Sequence, residues 1–311
     1  MRLSRIGAFL ALAFAIAAAQ SPGACCPEKP ERAKQKLLWQ KMERDVMKVA
    51  DDLNGVMSVS ILDLTSGEQM LIRADEVMPQ ASSIKITVLL ELYKQVQEGK
   101  LKLSDEYTIR KEDLVQDSDL LEFAGVGKKL TLRDLAAMVV AVSDNGATNV
   151  LIDRVGMENV NATLHSFGLR STMLRRKMMD VKAASEGREN VATAREMTEL
   201  LRQIYAGKVL NPEMTADLWK LLAISKDSKI PRELPDSVMV ANKPGELEAV
   251  RTDSGVVFVP NRPFVISVMT TFLKDEKDGD HAISRIAKIA YDYFDRVSRA
   301  SEYGRVVSTK N

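Results

Sequence analysis

Ser82 and Lys85 are the first residues whose types and spacing could do chemistry, because a lysine can activate a nearby serine as a nucleophile. They open a stretch of helical periodicity, residues 82–98, in which a spacing of three places both side chains on one face. A buried lysine with a lowered pKa could take the serine proton, and free N–H groups at the helix start could stabilise an oxyanion. Alone, the pair is equally compatible with an ordinary surface lysine.

Two further polar motifs follow at long intervals. Ser-Asp-Asn at residues 143–145 comes directly after an apolar helix predicted over residues 132–142. Lys-Pro-Gly at residues 243–245 closes a predicted strand. Taken separately, these motifs are typical of a helix cap and of a turn. Successive motifs start 61 and 100 residues apart, and this order and spacing favour a common function.

Simple counts argue against several other chemistries. The chain has 2 histidines, His165 and His281, and neither lies in a motif, so a Ser-His-Asp triad is disfavoured. G-x-S-x-G, H-E-x-x-H and C-x-x-C are absent, and the glycines at residues 125–127 lack the rest of a P-loop. With 44 Lys+Arg, 43 Asp+Glu and a net charge of +1, a nucleic-acid partner has no electrostatic support. We therefore expect no metal, no cofactor and no nucleic acid.

The first residues are typical of a secretory signal peptide. Arg2 and Arg5 precede an apolar run over residues 6–19 that ends in three alanines. This run is shorter than the roughly 20 residues that cross a bilayer. We predict that residues 1–19 are removed, that no stable membrane span remains, and that the protein is periplasmic or secreted.

The 2 cysteines, Cys25 and Cys26, lie directly after this segment. Lipidation of Cys25 is a weaker alternative, because Pro22 stands where a lipidation signal prefers leucine. The rest of the chain has no cysteine, so its stability must come from core packing and not from disulfides.

The hydrophobic pattern would bring the two ends of the chain together. A helix over residues 30–53 precedes two strands, a long helical middle, three more strands and a last helix. The predicted strands cover residues 57–61, 69–73, 237–242, 255–259 and 264–272. Tight turns join neighbouring strands, which must therefore be antiparallel. We predict an α+β fold in which helices flank a five-stranded antiparallel sheet and an all-α subdomain is inserted.

This order predicts a discontinuous division of the chain. The predicted parts are a linker at 20–30, an α/β subdomain at 31–76 and 223–300, an all-α subdomain at 77–222, and a tail at 301–311.

The three motifs together resemble those of class A β-lactamases and penicillin-binding enzymes, in which Ser-x-x-Lys, Ser-Asp-Asn and Lys-[Thr/Ser]-Gly follow in this order. The similarity continues around the motifs, at residues 130–135, 149–152, 253–257 and 262–263, and covers most of residues 37–297. The resemblance implies a β-lactamase/transpeptidase-like fold and hydrolysis of a β-lactam amide through a seryl acyl-enzyme.

The resemblance also implies a role for each matching residue. Ser82 would be the acylated nucleophile, and Lys85 would be its base, directly or through water. Ser143 would pass a proton to the leaving β-lactam nitrogen.

Substrate binding would involve the remaining motif positions. Asn145 would bind the substrate amide and steady Lys85, and Lys243 would attract the substrate carboxylate. Gly245 lies in the same substrate-binding strand. The backbone N–H groups of Ser82 and Glu246 would form the oxyanion hole, so the Glu246 side chain is free to vary.

Pro244 departs from the family pattern, which has Thr or Ser at this position. The hydroxyl that helps to hold the substrate carboxylate is therefore missing. Proline is tolerated in a strand when its nitrogen faces open space, as on an edge strand beside a cleft. We expect Pro244 to fit the architecture but to weaken binding of carboxylated β-lactams.

A second departure lies in the loop that supplies the deacylation base in class A enzymes. The family's R-x-E-x-x-x-N pattern falls on Arg176, Met178 and Lys182, so the Glu position holds a methionine. Asp180 is the nearest carboxylate and is a candidate base, while Glu186 is further along the chain. A solvated loop residue or a partner for Arg176 is the alternative interpretation of Asp180.

The same loop closes at Asn190, where the family has an Asp that pairs with the arginine. That ion pair is lost unless Glu189 replaces it.

Three functions therefore remain open from the sequence. The first is a class A β-lactamase-type hydrolase, with slow deacylation. The second is a D,D-peptidase-like acyl-transfer enzyme, and the third is a penicillin-binding or sensor module without turnover. In each case we expect a small-molecule β-lactam or related acyl substrate and a monomeric protein.

Overall fold

A computed structural model of the chain describes residues 30–301 and 303–306. The predicted signal peptide, most of the linker, Cys25 and the end of the tail lie outside these residues. Within them, no helix has the length and apolar character that crossing a membrane requires.

The described chain alternates between a helical region and a sheet built from both ends of the sequence. The α-helices are α1 (Pro30–Asp52), α2 (Lys85–Gln97), α3 (Asp119–Ala124), α4 (Leu132–Ala141), α5 (Asn145–Val155), α6 (Met157–Ser166), α7 (Val181–Ser185), α8 (Ala194–Tyr205), α9 (Pro212–Leu222) and α10 (Glu276–Arg299). The strands are β1 (Val56–Asp63), β2 (Gln69–Ile72), β3 (Met78–Pro79), β4 (Glu106–Thr108), β5 (Lys129–Thr131), β6 (Val191–Ala192), β7 (Val240–Leu247), β8 (Val250–Val257) and β9 (Phe264–Thr271).

The main sheet has five strands in the order β2-β1-β9-β8-β7, and all neighbours are antiparallel. The two early strands and the three late ones therefore meet at the β1–β9 pair, as the sequence predicted. The prediction of an α+β fold with a five-stranded antiparallel sheet is confirmed. Two small sheets, β3–β6 and β4–β5, lie outside it. Their strands of two or three residues are too short to show a hydrophobic alternation in the sequence.

The sheet is covered on one face by α1 and α10. Trp39 of α1 packs edge-on against Tyr293 of α10 with ring centroids 5.4 Å apart. Phe294 of α10 stacks on Phe264 of β9 at 4.3 Å. A second buried cluster on the other face contains α2, α4, α5, α8 and α9. Helix α2 lies inside that cluster, and ten of its side chains, including Lys85, are buried.

Strand β7 is longer than the sequence predicted, and this difference concerns the site. The prediction ended the strand at Asn242, but β7 continues through the Lys-Pro-Gly motif to Leu247. Proline and glycine normally mark a turn. Here both are accommodated because β7 is the edge strand of the sheet, where proline does not remove a ladder hydrogen bond if its nitrogen faces outward. The third motif thus lies within a strand and not in a turn.

Candidate active site

A tight turn before α2 presents Ser82. The turn is a 3-10 helix over Ala81–Ile84, and α2 begins directly after it at Lys85. The hydroxyl of Ser83 donates to the backbone oxygen of Lys243 at 2.8 Å and lies 2.7 Å from the Thr252 hydroxyl. These bonds join the turn to β7 and β8, so the nucleophile candidate is held by the sheet and not by its helix alone.

Ser82 faces a cleft of about 910 Å³. The cleft lies between the Ser82 turn, the start of α5, the loop from Arg176 to Asn190, and the edge strand β7. The sequence-predicted residues Ser82, Ser143, Asn145, Lys243, Gly245 and Glu246 all line it. Lys85 lies beneath these residues and is fully buried.

The Lys85 ammonium contacts the second motif. Its Nζ donates to the Ser143 Oγ at 3.0 Å and to the Asn145 Oδ1 at 2.8 Å. It also donates to the backbone oxygen of Ser143 at 2.5 Å, and Ser82 is not among its hydrogen-bond partners in the described residues. Burial lowers the pKa of Lys85 well below its ordinary value, and the nearby positive charge of Lys243 lowers it further. The surroundings of Lys85 therefore favour loss of its proton, as a base for Ser82 requires.

Ser143 links the two lysines of the site. Its Oγ lies 2.9 Å from the Nζ of Lys243, in addition to its contact with Lys85. The Asp144 side chain caps the start of α5 by accepting from the Ala147 N–H at 2.8 Å. This cap fixes the sharp bend between α4 and α5 that turns Ser143 and Asn145 toward the same point. Burial lowers the pKa of Lys243 to about 7, with the charge of Lys226 as the next cause.

Gly245 brings the backbone of β7 directly against the nucleophile turn. A Cβ at this position would lie 2.8 Å from the Ser82 backbone nitrogen and 2.5 Å from the Thr252 Oγ1, so no other residue fits. Glu246 follows it and has the same strand orientation as Pro244, two residues earlier. Pro244 is buried, lines the cleft and lies on the edge strand.

The Glu246 side chain is engaged elsewhere. Its carboxylate forms an ion pair with the buried ammonium of Lys229. Glu246 lines the cleft directly after Gly245, so its backbone N–H remains the candidate oxyanion donor beside that of Ser82.

The loop between Arg176 and Asn190 closes one wall of the cleft. Arg176 donates to the Glu189 Oε1 from Nε at 3.0 Å and from Nη2 at 2.7 Å. Glu189 therefore replaces the aspartate of the family as the arginine's partner. The Asn190 Oδ1 accepts from the backbone N–H groups of Arg175 and Arg176 at 2.7 and 3.0 Å, which closes the neck of the loop.

Met178, which the sequence comparison matched to the family's glutamate, lines the cleft. Its backbone N–H and oxygen are bonded to the Asn149 side chain at 2.8 and 3.1 Å, and its own side chain is buried. Asp180 is exposed, is not a cleft residue, and caps α7 by accepting from the Ala183 N–H at 3.0 Å. Asp180 is thus a solvent-exposed residue that caps a helix, and the structure does not place it beside Ser82.

Four cleft residues hold backbone conformations that side-chain-bearing residues rarely adopt. Ala81, Asp117, Ser143 and Met179 have positive φ angles of 49°, 57°, 59° and 62°, and all four line the cleft. Such conformations cost of order 1–3 kcal/mol each and persist where the surrounding contacts enforce them. Their concentration around one cleft marks it as the functional part of the molecule.

Sequence reasoning missed Lys226, which also lines the cleft. It lies four residues after the end of α9, in a segment without a motif. Lysines are common near the C-terminal ends of helices, so its position carried no distinctive signal. His165 and His281 lie exposed on helices and take no part in the site.

Comparison with known proteins identifies the family of the chain. The model of the Beta-lactamase enzyme family matches residues 41–294, and the chain belongs to that family. β-Lactamase SME-1 of Serratia marcescens is 29% identical over 262 residues, which are 81% of this chain and 88% of that protein.

Two solved structures extend the comparison. A β-lactamase from Sphaerobacter thermophilus has a TM-score of 0.75 and 29% identity, covering 82% of this chain and 97% of that one. The L158E mutant of PBP-A, solved as an acyl-enzyme complex with penicillin G, has a TM-score of 0.74 and 25% identity, covering 83% and 96%. The fold is that of class A β-lactamases, and the chain is a serine β-lactamase-like hydrolase.

Proposed function

We propose that this protein opens β-lactam amides by forming an acyl-enzyme on Ser82. The observation that carries the proposal is the convergence of Ser82, Ser143 and two buried lysines on one cleft. Among the described residues that line this cleft, no second set of nucleophile, base and proton donor occurs.

Acylation needs a proton path from Ser82 to the leaving nitrogen. As the Ser82 Oγ bonds to the carbonyl carbon, its proton passes to Lys85, whose uncharged form is favoured by burial. A water carries this proton, because the two side chains are not directly bonded. When the amide C–N bond breaks, Ser143 gives its proton to the nitrogen and is reprotonated by Lys85 at 3.0 Å. The backbone N–H groups of Ser82 and Glu246 stabilise the oxyanion, and one such donor is typically worth ~2.7–4 kcal/mol of barrier.

Deacylation is the slow step in this proposal. The family's water-activating glutamate is replaced by Met178, and the Asp180 carboxylate caps α7. In Glu189, which also lines the cleft, the Oε1 already accepts three hydrogen bonds, from Arg176 twice and from the Asn190 N–H. We therefore expect the acyl-enzyme to accumulate.

Mass spectrometry after mixing with benzylpenicillin tests acylation. A stable adduct on Ser82, absent in Ser82→Ala, is the expected result, together with a burst and then slow turnover of nitrocefin. Rapid turnover without an adduct would contradict slow deacylation. The absence of both adduct and turnover would contradict the proposed enzymatic activity.

Met178→Glu tests the cause of the slow step. A carboxylate at this cleft position supplies a general base, which typically accelerates a step 10²–10⁴-fold. We expect the half-life of the benzylpenicillin adduct to shorten at least tenfold, measured by mass spectrometry after removal of free penicillin. Met178→Gln is the matched control, because it has a similar shape but cannot take a proton. Equal half-lives in the two variants would show that the missing carboxylate at position 178 is not the cause of slow deacylation.

A penicillin-binding acyl-transfer enzyme is the second candidate. The absent glutamate favours it, and so does the likeness to PBP-A, whose L158E mutant was solved with penicillin G bound covalently. A peptide ending in D-Ala-D-Ala distinguishes the candidates, because a peptidase releases D-Ala and a β-lactamase does not. A sensor module without turnover would keep its penicillin adduct indefinitely, even in Met178→Glu.

We also propose that the protein is exported and monomeric. The arginines and apolar run of residues 1–19 support export, and the mass of the purified protein from a bacterial periplasm tests it. Retention of residues 1–19 would contradict cleavage. Light scattering on the purified protein tests the monomer.

A further inference from the structure

Asp117 brings an acidic side chain to the cleft without a positively charged partner. The residue lines the cleft and is exposed to solvent. No lysine, arginine or histidine of the described residues forms an ion pair with its carboxylate, and Arg110, the arginine before it in sequence, lies 4.0 Å from Glu112 instead. Because charges at a binding surface are matched by opposite charges on the partner, this carboxylate is available to a cationic ligand.

Most other acids of the cleft are already paired. Three of the five acids that line it form ion pairs, namely Glu189 with Arg176, Glu246 with Lys229, and Asp227 with Arg232. Glu248, directly after the end of β7, resembles Asp117 in having no such pair among the described residues. A cationic part of a ligand in the cleft would therefore meet one of these two carboxylates, and the surroundings of Asp117 distinguish it.

The backbone around Asp117 is fixed against the start of α5. The Asn145 N–H donates to the backbone oxygen of Asp117 at 3.0 Å, and the Asn145 Nδ2 donates to that of Gln116 at 3.2 Å. Beside them, the Gly146 N–H donates to the Oγ of buried Ser118 at 2.9 Å. A Cβ on Gly146 would lie 2.7 Å from that oxygen, so only glycine allows this close approach. The segment that carries Asp117 is therefore held rigidly beside Asn145.

The conformation of Asp117 itself is enforced by these contacts. Its φ of 57° lies in the left-handed region, which Asp and Asn enter more readily than other residues with a side chain. Such a conformation is costly and persists where the surrounding structure imposes it, often at a ligand-binding site. The position of the carboxylate at the cleft is thus a built feature and not that of a loosely held loop.

The charge of Asp117 reaches the reacting groups. Burial is the main cause that lowers the pKa of Lys85, and the charge of Lys243 adds to this effect, while Asp144 and Asp117 oppose it. Asp144 is fully buried and caps α5, so Asp117 is the exposed acid of this pair. Its carboxylate is therefore near Lys85 and also open to the cleft.

We propose that Asp117 binds a cationic group next to the reacting amide and so selects acyl substrates that carry an ammonium on their acyl side. By the family resemblance, Asn145 binds the substrate amide, and the same residue holds the backbone of Asp117. A substituent beside that amide would then lie beside the Asp117 carboxylate. The inference deepens the proposed function and rests on it, because it names the charge of the preferred substrate and the residue that recognises it.

Acylation of Ser82 by ampicillin and by benzylpenicillin tests this selection. The two penicillins differ by one amino group next to the side-chain carbonyl, and an α-amino group, with a pKa of about 7.7–8.0, is protonated at about pH 6.5. The ampicillin-to-benzylpenicillin ratio of acylation rate constants therefore measures recognition of the ammonium. We expect Asp117→Asn to lower this ratio about two- to fivefold, as for an ion pair at an exposed site. Asparagine keeps the shape of the side chain and tolerates the positive φ.

The ratio is taken within one protein, so loss of folded material cancels, and so does any change at Lys85 that affects both penicillins. Asp119→Asn is the matched control, because Asp119 is exposed at the start of α3 and does not line the cleft. It should leave the ratio unchanged. An unchanged ratio in Asp117→Asn, or an equal fall in Asp119→Asn, would overturn the proposal. A fall confined to Glu248→Gln would also overturn it, since the ammonium would then lie at the end of β7.

Failure of the proposed function is distinguishable from failure of this selection. If neither penicillin acylates Ser82 in the native protein, the acyl-enzyme proposal fails. In the Ser82→Ala background, the ratio of the equilibrium binding constants of the two penicillins still tests Asp117. A ratio that falls in Ser82→Ala/Asp117→Asn supports the contact with the ammonium, and a ratio that stays the same refutes it.

Discussion

Ser143 receives two lysine N–H groups on one hydroxyl oxygen, at 3.0 Å from Lys85 and 2.9 Å from Lys243. A hydroxyl oxygen has two acceptor positions and one hydrogen. With both acceptor positions filled by lysines, the hydrogen of Ser143 must point away from them. In the proposed mechanism this is the proton that the leaving nitrogen receives, so the two lysines would orient it before a substrate arrives.

The lowered pKa of Lys243 makes stability depend on pH. Its pKa is about 7 in the folded protein, against 10.5 as the ordinary value. Between these two pKa values the unfolded chain binds more protons than the folded protein, so the free energy of unfolding rises with pH. Below pH 7 both states are protonated at Lys243, and this residue adds no pH dependence. Relative to Lys243→Met, the native protein should gain about 1.4 kcal/mol per pH unit between pH 7 and 10.5. Urea unfolding at each pH measures this difference.

Lys220→Met is the control for that measurement, because this lysine is exposed on α9. Its stability should run parallel to that of the native protein at every pH. The charged groups that act on Lys243 are Lys226, Lys229, Glu246 and Asp253, and Lys243 in turn acts on Lys85; all five remain in both variants. Parallel curves for Lys243→Met and the native protein would show that the buried lysine keeps its ordinary pKa.

At the level of single residues, the sequence was informative where a motif existed. Ser82, Lys85 and Ser143 could be found because their spacing along the chain is that of a known family. The position of Lys226 in the cleft could not be found, because it depends on where the chain runs after the end of α9. The Glu189–Arg176 pair could be anticipated only as a possibility, since adjacent positions 189 and 190 compete for one arginine and only the backbone path decides between them.

At the level of elements, two strands and one loop shape the cleft. Strand β7 supplies Lys243, Gly245 and Glu246 along one edge, and β8 holds the Ser82 turn through Thr252, whose Oγ1 donates to the Gln80 oxygen at 3.0 Å. The central strands and helices α1, α2, α4, α5 and α10 were predictable from their hydrophobic periods. The extension of β7 was not, because Pro244 and Gly245 look like a turn until the sheet places them on its open edge.

Pro244→Thr tests the cost of the missing hydroxyl on β7. A hydroxyl beside Lys243 adds one hydrogen bond to the substrate carboxylate, typically worth about 1 kcal/mol. We expect the rate constant of acylation by benzylpenicillin to rise about fivefold, while that of its methyl ester changes little. Pro244→Ala is the control, since it removes the ring without adding a hydroxyl. Equal rates in the two variants would show that the hydroxyl has no part in recognition.

Glu189→Gln tests the neck of the loop between Arg176 and Asn190. It removes the charge partner of Arg176, whose side chain is only 9% exposed. Breaking a fully buried pair costs about 3–5 kcal/mol. Because Glu189 is 24% exposed, we expect roughly 1–2 kcal/mol here. Hydrogen exchange of residues 177–189 should accelerate more than that of the sheet.

Glu186→Gln is the matched control for the loop, because Glu186 pairs with Arg188 on the surface, where both side chains are about half exposed. It should change neither stability nor exchange. If Glu189→Gln behaves like Glu186→Gln, the ion pair does not hold the loop closed.

At the level of the whole molecule, the sheet unites the two ends of the chain. Its β1–β9 pair joins residue 56 to residue 271 and residue 63 to residue 264. The described residues contain no cysteine, so this union depends on packing. The buried pair of Asp63 with Arg262 adds a polar link at the same seam, with Nη2 to Oδ2 at 2.7 Å. The active site depends on this union, since Ser82 follows the early strands and Lys243 belongs to the late ones.

Trp39→Ala tests whether the active site unfolds together with the sheet and the helices α1 and α10 that cover it. Trp39 is 3% exposed and contacts Tyr293 and Phe294, so it connects α1 to α10 far from the cleft. Removing a buried tryptophan costs about 3–5 kcal/mol. Calorimetry should show one transition at a lower midpoint, with penicillin acylation of Ser82 lost at that same temperature. Leu37→Ala, at a position 60% exposed on the same helix, should leave the midpoint unchanged. Acylation that persists above the main transition would mean that the helical region and its cleft fold independently of the sheet. The contacts of the Ser82 turn with β7 and β8 would then be too weak to couple the two parts.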